Sequence, residues 1–242
     1  MKAVLLAAGL AKRLRPLTDT TPKCLLDLNG KNLLHRAIEN IEANGISEFI
    51  IVTGYRENMI IDYIRENFSH LNFEFLSNKD YMNNNNSYSL WMTKDIAGDN
   101  ILLLDSDILF EKGIIKKLID SGKETCLALK KHKLDEEQIK VLMDEESRVI
   151  KIGKEVDLKK AHGESIGIEI ISGDFLRELY KVLDRKITIE QNVNEFYEAS
   201  FQEVIDKNDK KISMYGVDIS EYSCIEIDTV EDYENAKLNL KN

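Results

Sequence analysis

The first half of the chain alternates short apolar runs with segments of helical period. Residues 3–8 are apolar without interruption, and 2–8 has the length of a strand covered on both faces. A second such strand is expected over 49–53, closed by Gly54, and a weaker one over 73–76. The apolar run 101–104 leads straight into Asp105-Ser106-Asp107, and 125–129 is a further strand. Between these runs the period lengthens. Leu33, Leu34, Ala37, Ile38 and Ile41 share one helical face, with Gly45 as the stop. Ile60, Ile61, Ile64 and Phe68 place a helix over 57–68, and 113–120 is helical too. A further helix is expected around 89–94, after an asparagine run. Strands alternating with helices predict parallel strands joined by crossover helices, a doubly wound, Rossmann-like α/β sheet.

The second half patterns differently. Residues 139–143 and 149–152 flank Asp144-Glu145-Glu146-Ser147 as in a hairpin. A strand over 165–171 follows Gly163-Glu164, then helices over 175–183 and 193–205, then strands over 211–215 and 224–227. The last helix starts at Thr229, with Asp232 three residues on as a variant capping box. The sheet is therefore expected to be mixed but mostly parallel, with a small β insertion. No stretch rich in Pro, Gly or Ser divides the chain, so 1–242 reads as one domain.

A net charge of −10 argues against nucleic acid as a partner, and the short basic run Lys130-Lys131-His132-Lys133 meets acidic residues at once from Asp135. No apolar run approaches the ~18 residues of a membrane span, so no membrane is expected. The apolar start ends in Lys12, Arg13 and Arg15 without a cleavage-type segment, which predicts no secretory signal and a cytoplasmic location. Cys24, Cys126 and Cys224 lack metal-ligand spacing and fit buried, unpaired thiols. The four histidines are scattered.

Candidate chemistry concentrates after the first strand. Small residues at Ala7, Ala8 and Gly9 let backbone N–H groups approach a ligand, and Lys12, Arg13, Arg15 and Lys23 face one opposing charge, Asp19. Backbone donors with Arg and Lys at a strand end form an anion cradle suited to polyphosphate. The spacing is neither that of a Walker A loop nor of a dinucleotide fingerprint. A solvated basic turn is the alternative.

The stretch Leu6-Ala7-Ala8-Gly9-Leu10-Ala11-Lys12-Arg13-Leu14-Arg15-Pro16-Leu17-Thr18, followed by Pro22-Lys23, resembles the signature of nucleoside-triphosphate:sugar-1-phosphate nucleotidyltransferases, A-G-x-G-[ST]-R-[LM]-x-P-x-[ST] then P-K. Arg13, Pro16, Thr18, Pro22 and Lys23 match; Ala11 replaces the second glycine and Lys12 the Ser/Thr. Asp105-Ser106-Asp107 falls where this family holds its metal, and Ile225 to Tyr233 resembles its C-terminal I-D-T-x-x-D segment. The resemblance implies a Mg²⁺ ion on Asp107 and Asp228, a pairing consistent with that ion's preference for one or two carboxylates plus phosphate oxygens. Capping of the final helix is the structural alternative for Asp228, and a turn role for Asp105. By the same resemblance, Arg13 and Lys23 are catalytic, and Leu6, Ala7, Ala8, Gly9, Ala11, Lys12 and Asp105 bind nucleotide. Residues 1–130 form the nucleotide half, and 131–242 the acceptor half with the C-terminal metal ligand.

Asn85-Asn86-Ser87-Tyr88-Ser89-Leu90-Trp91 looks like the corresponding segment of the phosphocholine and 2-aminoethylphosphonate cytidylyltransferase branch. This assigns Asn85, Asn86 and Ser89 to the nucleotide and makes CTP the expected donor. Choline-binding members use aromatic rings around the quaternary ammonium. No such box is recognisable here, which shifts the expected acceptor from phosphocholine towards 2-aminoethylphosphonate or another small phosphorylated or phosphonate compound. Gly163-Glu164-Ser165-Ile166-Gly167 resembles an acceptor-lining G-E-x-x-G segment, so Glu164, with Tyr197 and Glu198 on the predicted helix, are the acceptor candidates. Dimers are frequent in the family. A sugar- or inositol-1-phosphate nucleotidylyltransferase is the alternative, followed by a nucleotide-sugar glycosyltransferase and an inactive binding module. The Arg13 and Lys23 loop argues against the glycosyltransferase, which has no pyrophosphate to expel.

Overall fold

The computed structural model describes residues 1–207 and 212–240. The first half contains β1 (Lys2–Ala7), β2 (Asp27–Leu28), β3 (Lys31–Asn32), α1 (Leu33–Glu42), β4 (Glu48–Thr53), α2 (Glu57–Asn67) and β5 (Asn72–Ser77). Next come α3 (Asn86–Met92), β6 (Asn100–Asp105), β7 (Ile108–Phe110), α4 (Gly113–Asp120) and β8 (Cys126–Lys130). The remainder comprises β9 (Lys140–Met143), β10 (Val149–Gly153), β11 (Gly163–Ser172), α5 (Gly173–Asp184), α6 (Tyr197–Ile205), β12 (Tyr215–Asp218), β13 (Cys224–Glu226) and α7 (Val230–Asn239).

The main sheet runs β10-β9-β11-β6-β1-β4-β5, with β8 beside β11 and β12 beside β8. β6, β1, β4 and β5 are parallel, whereas β11 lies antiparallel to β6. Alternate residues of β1 enter opposite cores, as the strand's period of two requires: Ala3, Leu5 and Ala7 on one face, Val4 and Leu6 on the other. α1, α2 and α4 cover the first face; α3, α5 and α6 cover the second. The sheet is thus mixed and doubly wound within a single domain. Register pairs Leu6 with Asp105 and Ala7 with Thr53, so the carboxyl ends of β6, β1 and β4 lie level, where open α/β sheets bind ligands.

Several expectations shift. The expected strand over 125–129 forms as β8, but it joins the sheet through antiparallel β11 and not beside another crossover strand. The helix expected around 89–94 begins three residues earlier, because the Asn85 side chain accepts the Asn86 N–H as its cap. The helix expected over 193–205 starts only at Tyr197. The strand expected over 211–215 is displaced towards the C-terminus: β12 shares only Tyr215 with it, residues 212–214 are not strand, and Lys211 lies outside the described residues. β7 and the β2–β3 hairpin carry no sequence signal, being two or three residues long. All three cysteines are buried and free. No helix among the described residues is long and apolar enough to cross a membrane.

Two local devices place the site. Gly54 lets the end of β4 close on the first loop: a Cβ there would stand 2.7 Å from the Ala8 carbonyl oxygen, which accepts the Tyr55 N–H at 3.0 Å. A third apolar cluster joins Leu14, Leu26, Leu28 and Leu33 to Ile227, Tyr233 and Ala236. The Tyr233 hydroxyl adds a hydrogen bond to the Asp27 carbonyl at 2.6 Å. The final helix is thereby packed against the loop after β1.

Candidate active site

The loop after β1 turns sharply at Ala11, which takes left-handed dihedrals (φ 49°, ψ 55°). For a residue with a Cβ this costs about 1 kcal/mol. The Ala11 carbonyl accepts the Leu14 N–H at 3.1 Å and the Thr18 hydroxyl at 2.9 Å, which hold the turn. Arg13 and Lys23 follow on short 3₁₀ turns and point to the same place.

That place is an ion cluster. Lys23 Nζ donates to Asp107 Oδ2 and Asp228 Oδ1, each at 2.8 Å, and Arg13 Nη2 donates to Asp228 Oδ2 at 2.5 Å. Burial alone would depress the Lys23 ammonium, but Asp107 and Asp228 outweigh it and raise its pKa. Burial would raise Asp228, yet Lys23 and Arg13 hold it below the ordinary carboxylate range. The two aspartates meet because β7 and β13 form an antiparallel ribbon pairing Ile108 with Glu226. Asp107 enters that ribbon and Asp228 leaves it at the same end, and the Ile227 N–H bonds to the Asp107 carbonyl at 3.0 Å.

Glu226 completes the cluster. Carboxylate oxygens of Asp107, Glu226 and Asp228 all lie within 4.8 Å of one another. Surrounding protein, then Asp107 and Asp228, push Glu226 up to about 8. Asp107 Oδ1 is buried without a hydrogen-bond partner. Three hard oxygen ligands with one orphaned atom fit a small divalent cation.

Two cavities open on the cluster. A cleft of about 320 Å³ is lined by Leu6, Ala7, Ala8, Gly9 and Ala11 on one side and by Asn85, Asn86 and Ser89 on the other. Lys12 is exposed and stands outside its wall. Asn78, Tyr81 and Asn84 also face this cleft, although sequence reasoning did not single them out. The Asn78 and Asn84 side-chain amides bond reciprocally at 2.8 and 3.0 Å, and Asn78 donates to Ser89 Oγ at 3.0 Å. Asn86 Oδ1 accepts the Tyr197 N–H at 3.0 Å, tying α3 to α6. The asparagine run is therefore a built wall and not a loose surface turn.

The second cavity, of about 500 Å³, shares Arg13, Asp107, Glu226 and Asp228 with the first and extends to Glu164 and Glu198. Tyr197 is fully buried and lines neither cavity; its hydroxyl donates to Asp105 Oδ2 at 3.0 Å. Gly167, at φ +69°, leaves room for that carboxyl, since a Cβ would lie 2.8 Å from Asp105 Oδ2. Asp105 sits well above the usual carboxylate range because surrounding protein partly desolvates its carboxyl and because Asp107 and Glu198 are near. Burial likewise raises Glu164, despite its 2.6 Å contact with His132 Nε2, and pushes Glu198 up to about 7. Phe196, from the segment before α6, borders both cavities and lacked any sequence signal.

Comparison with known proteins adds an independent line. A family model described as nucleotidyl transferase matches residues 2–152. The chain is 28% identical to the choline-phosphate cytidylyltransferase of Streptococcus pneumoniae, covering 100% of this chain and 99% of that one. It is 28% identical to the CTP:phosphoglutamine cytidylyltransferase of Campylobacter jejuni, covering 97% and 98% respectively. Among solved structures, the CTP:phosphocholine cytidylyltransferase LicC of S. pneumoniae superposes with a TM-score of 0.80 at 26% identity over 99% of both chains. The inositol-1-phosphate CTP transferase of T. maritima shares the fold, with a TM-score of 0.79 at 22% identity over 100% of this chain and 97% of that one.

Proposed function

The chain belongs to the nucleotidyl transferase family, and on that premise we propose that it is a cytidylyltransferase moving CMP from CTP to a small phospho-acceptor, such as phosphocholine or 2-aminoethylphosphonate, with release of pyrophosphate. The observation that carries this reading is the convergence of two cavities on Arg13, Asp107, Glu226 and Asp228, with Lys23 bonded to both aspartates. One cavity suits a nucleotide and the other a small acceptor, with the charged cluster between them. The two full-length relatives named for CTP-dependent transfer support the choice of donor.

In this reading an acceptor oxygen attacks the α-phosphorus. A new P–O bond forms, the bond to the β-phosphate oxygen breaks, and its electron pair leaves with pyrophosphate. A phosphate or phosphonate oxygen is largely ionised near neutral pH, since its second pKa is about 6, so no general base is required. Catalysis then rests on positioning and charge neutralisation. Backbone N–H groups at Ala8 to Ala11 hold the phosphates, and Arg13 neutralises the departing pyrophosphate. Lys23 spans the α-phosphate and the acceptor oxygen. Asn78, Asn84, Asn85, Asn86 and Ser89 offer donors and acceptors for base and ribose, Tyr81 offers a ring face, and Asp105 borders the nucleotide where the cavities meet.

Asp107, Asp228 and Glu226 would hold a divalent cation, Mg²⁺ by the hardness of their oxygens. Such an ion, when bound, neutralises charge on phosphate oxygens. The test is a pyrophosphate-release matrix of CTP, UTP, GTP, ATP and dTTP against phosphocholine, 2-aminoethylphosphonate and inositol or sugar 1-phosphates. CTP is expected to exceed the other donors, and Arg13→Ala, Lys23→Ala and Asp107→Ala to lose turnover. Wild-type rates in all three variants would rule the assignment out.

A further inference from the structure

The far end of the second cavity carries information about the acceptor that the catalytic cluster does not. Resting on the transfer reading above, the acceptor's phosphoryl end belongs at Arg13 and Lys23. The rest of the molecule must then extend towards Asp135, Glu137, Glu164 and Glu198. This is a wall of carboxylates, with Lys154 as the positive group at that end and Phe196 as the aromatic ring in the lining.

Most of these groups already have partners. Glu164 meets His132 at 2.6 Å, Lys154 bonds Glu137 at 3.2 Å, and Asp135 Oδ1 accepts the Glu137 N–H at 2.9 Å. The loop itself is pinned from below. Fully buried Lys140 donates to the carbonyls of Asp135, Glu136 and Gln138 at 3.2–3.5 Å.

Glu198 is the exception. It lines the cavity and is only 6% exposed, yet its Oε2 has no hydrogen-bond partner. A buried, unpaired carboxylate oxygen opposes folding, because it loses its hydration and gains no hydrogen bond in return. Its place in the first turn of α6 offsets only part of that through the helix dipole. Lys154 lies over the Phe196 ring, 5.5 Å from its centroid, and is engaged with Glu137 instead.

We infer that Glu198 anchors a primary ammonium on the acceptor, making the preferred substrate a short amino-alkyl phosphate or phosphonate. A primary ammonium brings three N–H donors, which a bare carboxylate oxygen in an acidic pocket satisfies directly. A quaternary ammonium has no donor and is recognised by stacked rings, of which the lining holds one. A neutral polyol would leave the Glu198 charge unpaired.

The test compares 2-aminoethylphosphonate and phosphoethanolamine with phosphocholine, N-acetylated phosphoethanolamine and inositol 1-phosphate, in wild type and Glu198→Gln. The wild type is expected to favour the primary amines over phosphocholine by about tenfold in kcat/KM, and over the neutral acceptors by about 100-fold, the range of a charge-assisted hydrogen bond. Glu198→Gln should raise KM for the primary amines about tenfold with kcat little changed, which erases the preference over phosphocholine and cuts that over the neutral acceptors to about tenfold. A preference for phosphocholine or inositol 1-phosphate, or an equal loss for every acceptor, overturns the assignment. Binding of 2-aminoethylphosphonate measured by calorimetry without CTP separates this subsite from the transfer reading. If no acceptor releases pyrophosphate, the transfer reading fails, but tenfold weaker binding to Glu198→Gln still supports the anchor. Equal binding to both proteins overturns it.

Discussion

Asp107 and Asp228 share one cation: Lys23 Nζ stands 2.8 Å from a carboxylate oxygen of each. Without it, three carboxylates would face each other across less than 4.8 Å. The same ammonium therefore holds the site together and is placed to serve the phosphates.

Lys23→Ala should lower turnover by at least about 100-fold, as loss of a positioned charge donor does. It should also cost about 2 kcal/mol of stability, less than for a fully buried pair because Asp107 and Asp228 are 24% and 28% exposed. Added Mg²⁺ should raise the melting temperature of this variant more than that of wild type, because a bound cation replaces the missing ammonium. Thermal unfolding with and without Mg²⁺ decides it. An unresponsive variant would remove the case for a cation at Asp107, Glu226 and Asp228.

Glu198 predicts an inverted pH dependence for one substitution. Burial pushes its carboxyl up to about 7, above the ordinary value of 4.5. The folded state therefore favours the protonated form. That contribution is complete below pH 4.5 and disappears as pH rises through 7. Glu198→Gln should match wild type near pH 4.5 and exceed it above pH 8 by up to about 3 kcal/mol. Urea unfolding at the two pH values measures the difference; a variant less stable than wild type at pH 8 contradicts the unpaired burial.

Tyr197→Phe removes one oxygen, the donor to Asp105, from a fully buried side chain. A loss of about 1–2 kcal/mol is expected, with Phe175 and Phe201 still packed. Because Tyr197 lines neither cavity, acceptor KM should change less than it does in Glu198→Gln. An acceptor KM raised as much as in that variant would place the Tyr197 ring at the ligand after all.

Gly54→Ala tests how closely the end of β4 must approach the first loop. Its Cβ would lie 2.7 Å from Ala8 O and 3.1 Å from Ala8 Cα, both backbone atoms that cannot swing aside. A destabilisation of about 1–3 kcal/mol is expected, with weakened nucleotide binding because Ala8 lines the cleft. Unchanged CTP affinity, read by calorimetry, would detach the Ala8 backbone from the nucleotide.

What the sequence determined by itself was whatever local pattern can carry. The apolar runs of β1, β4 and β6 are hydrophobic on both faces, which only strands under two helical layers can be. The asparagines, Asp105-Ser106-Asp107 and the Thr229–Asp232 capping box stand at element ends, where backbone groups need partners. What only the tertiary structure decided depends on pairing between distant segments. The ribbon of β7 with β13 is three residues wide, too short for any periodic signal, yet it brings Asp107 to Asp228 and adds Glu226. Neighbouring Tyr197 and Glu198 are likewise indistinguishable in role until α6 is docked. The helix then buries the tyrosine beneath Asp105 and leaves the glutamate at the cavity wall, because successive residues on a helix point about 100° apart.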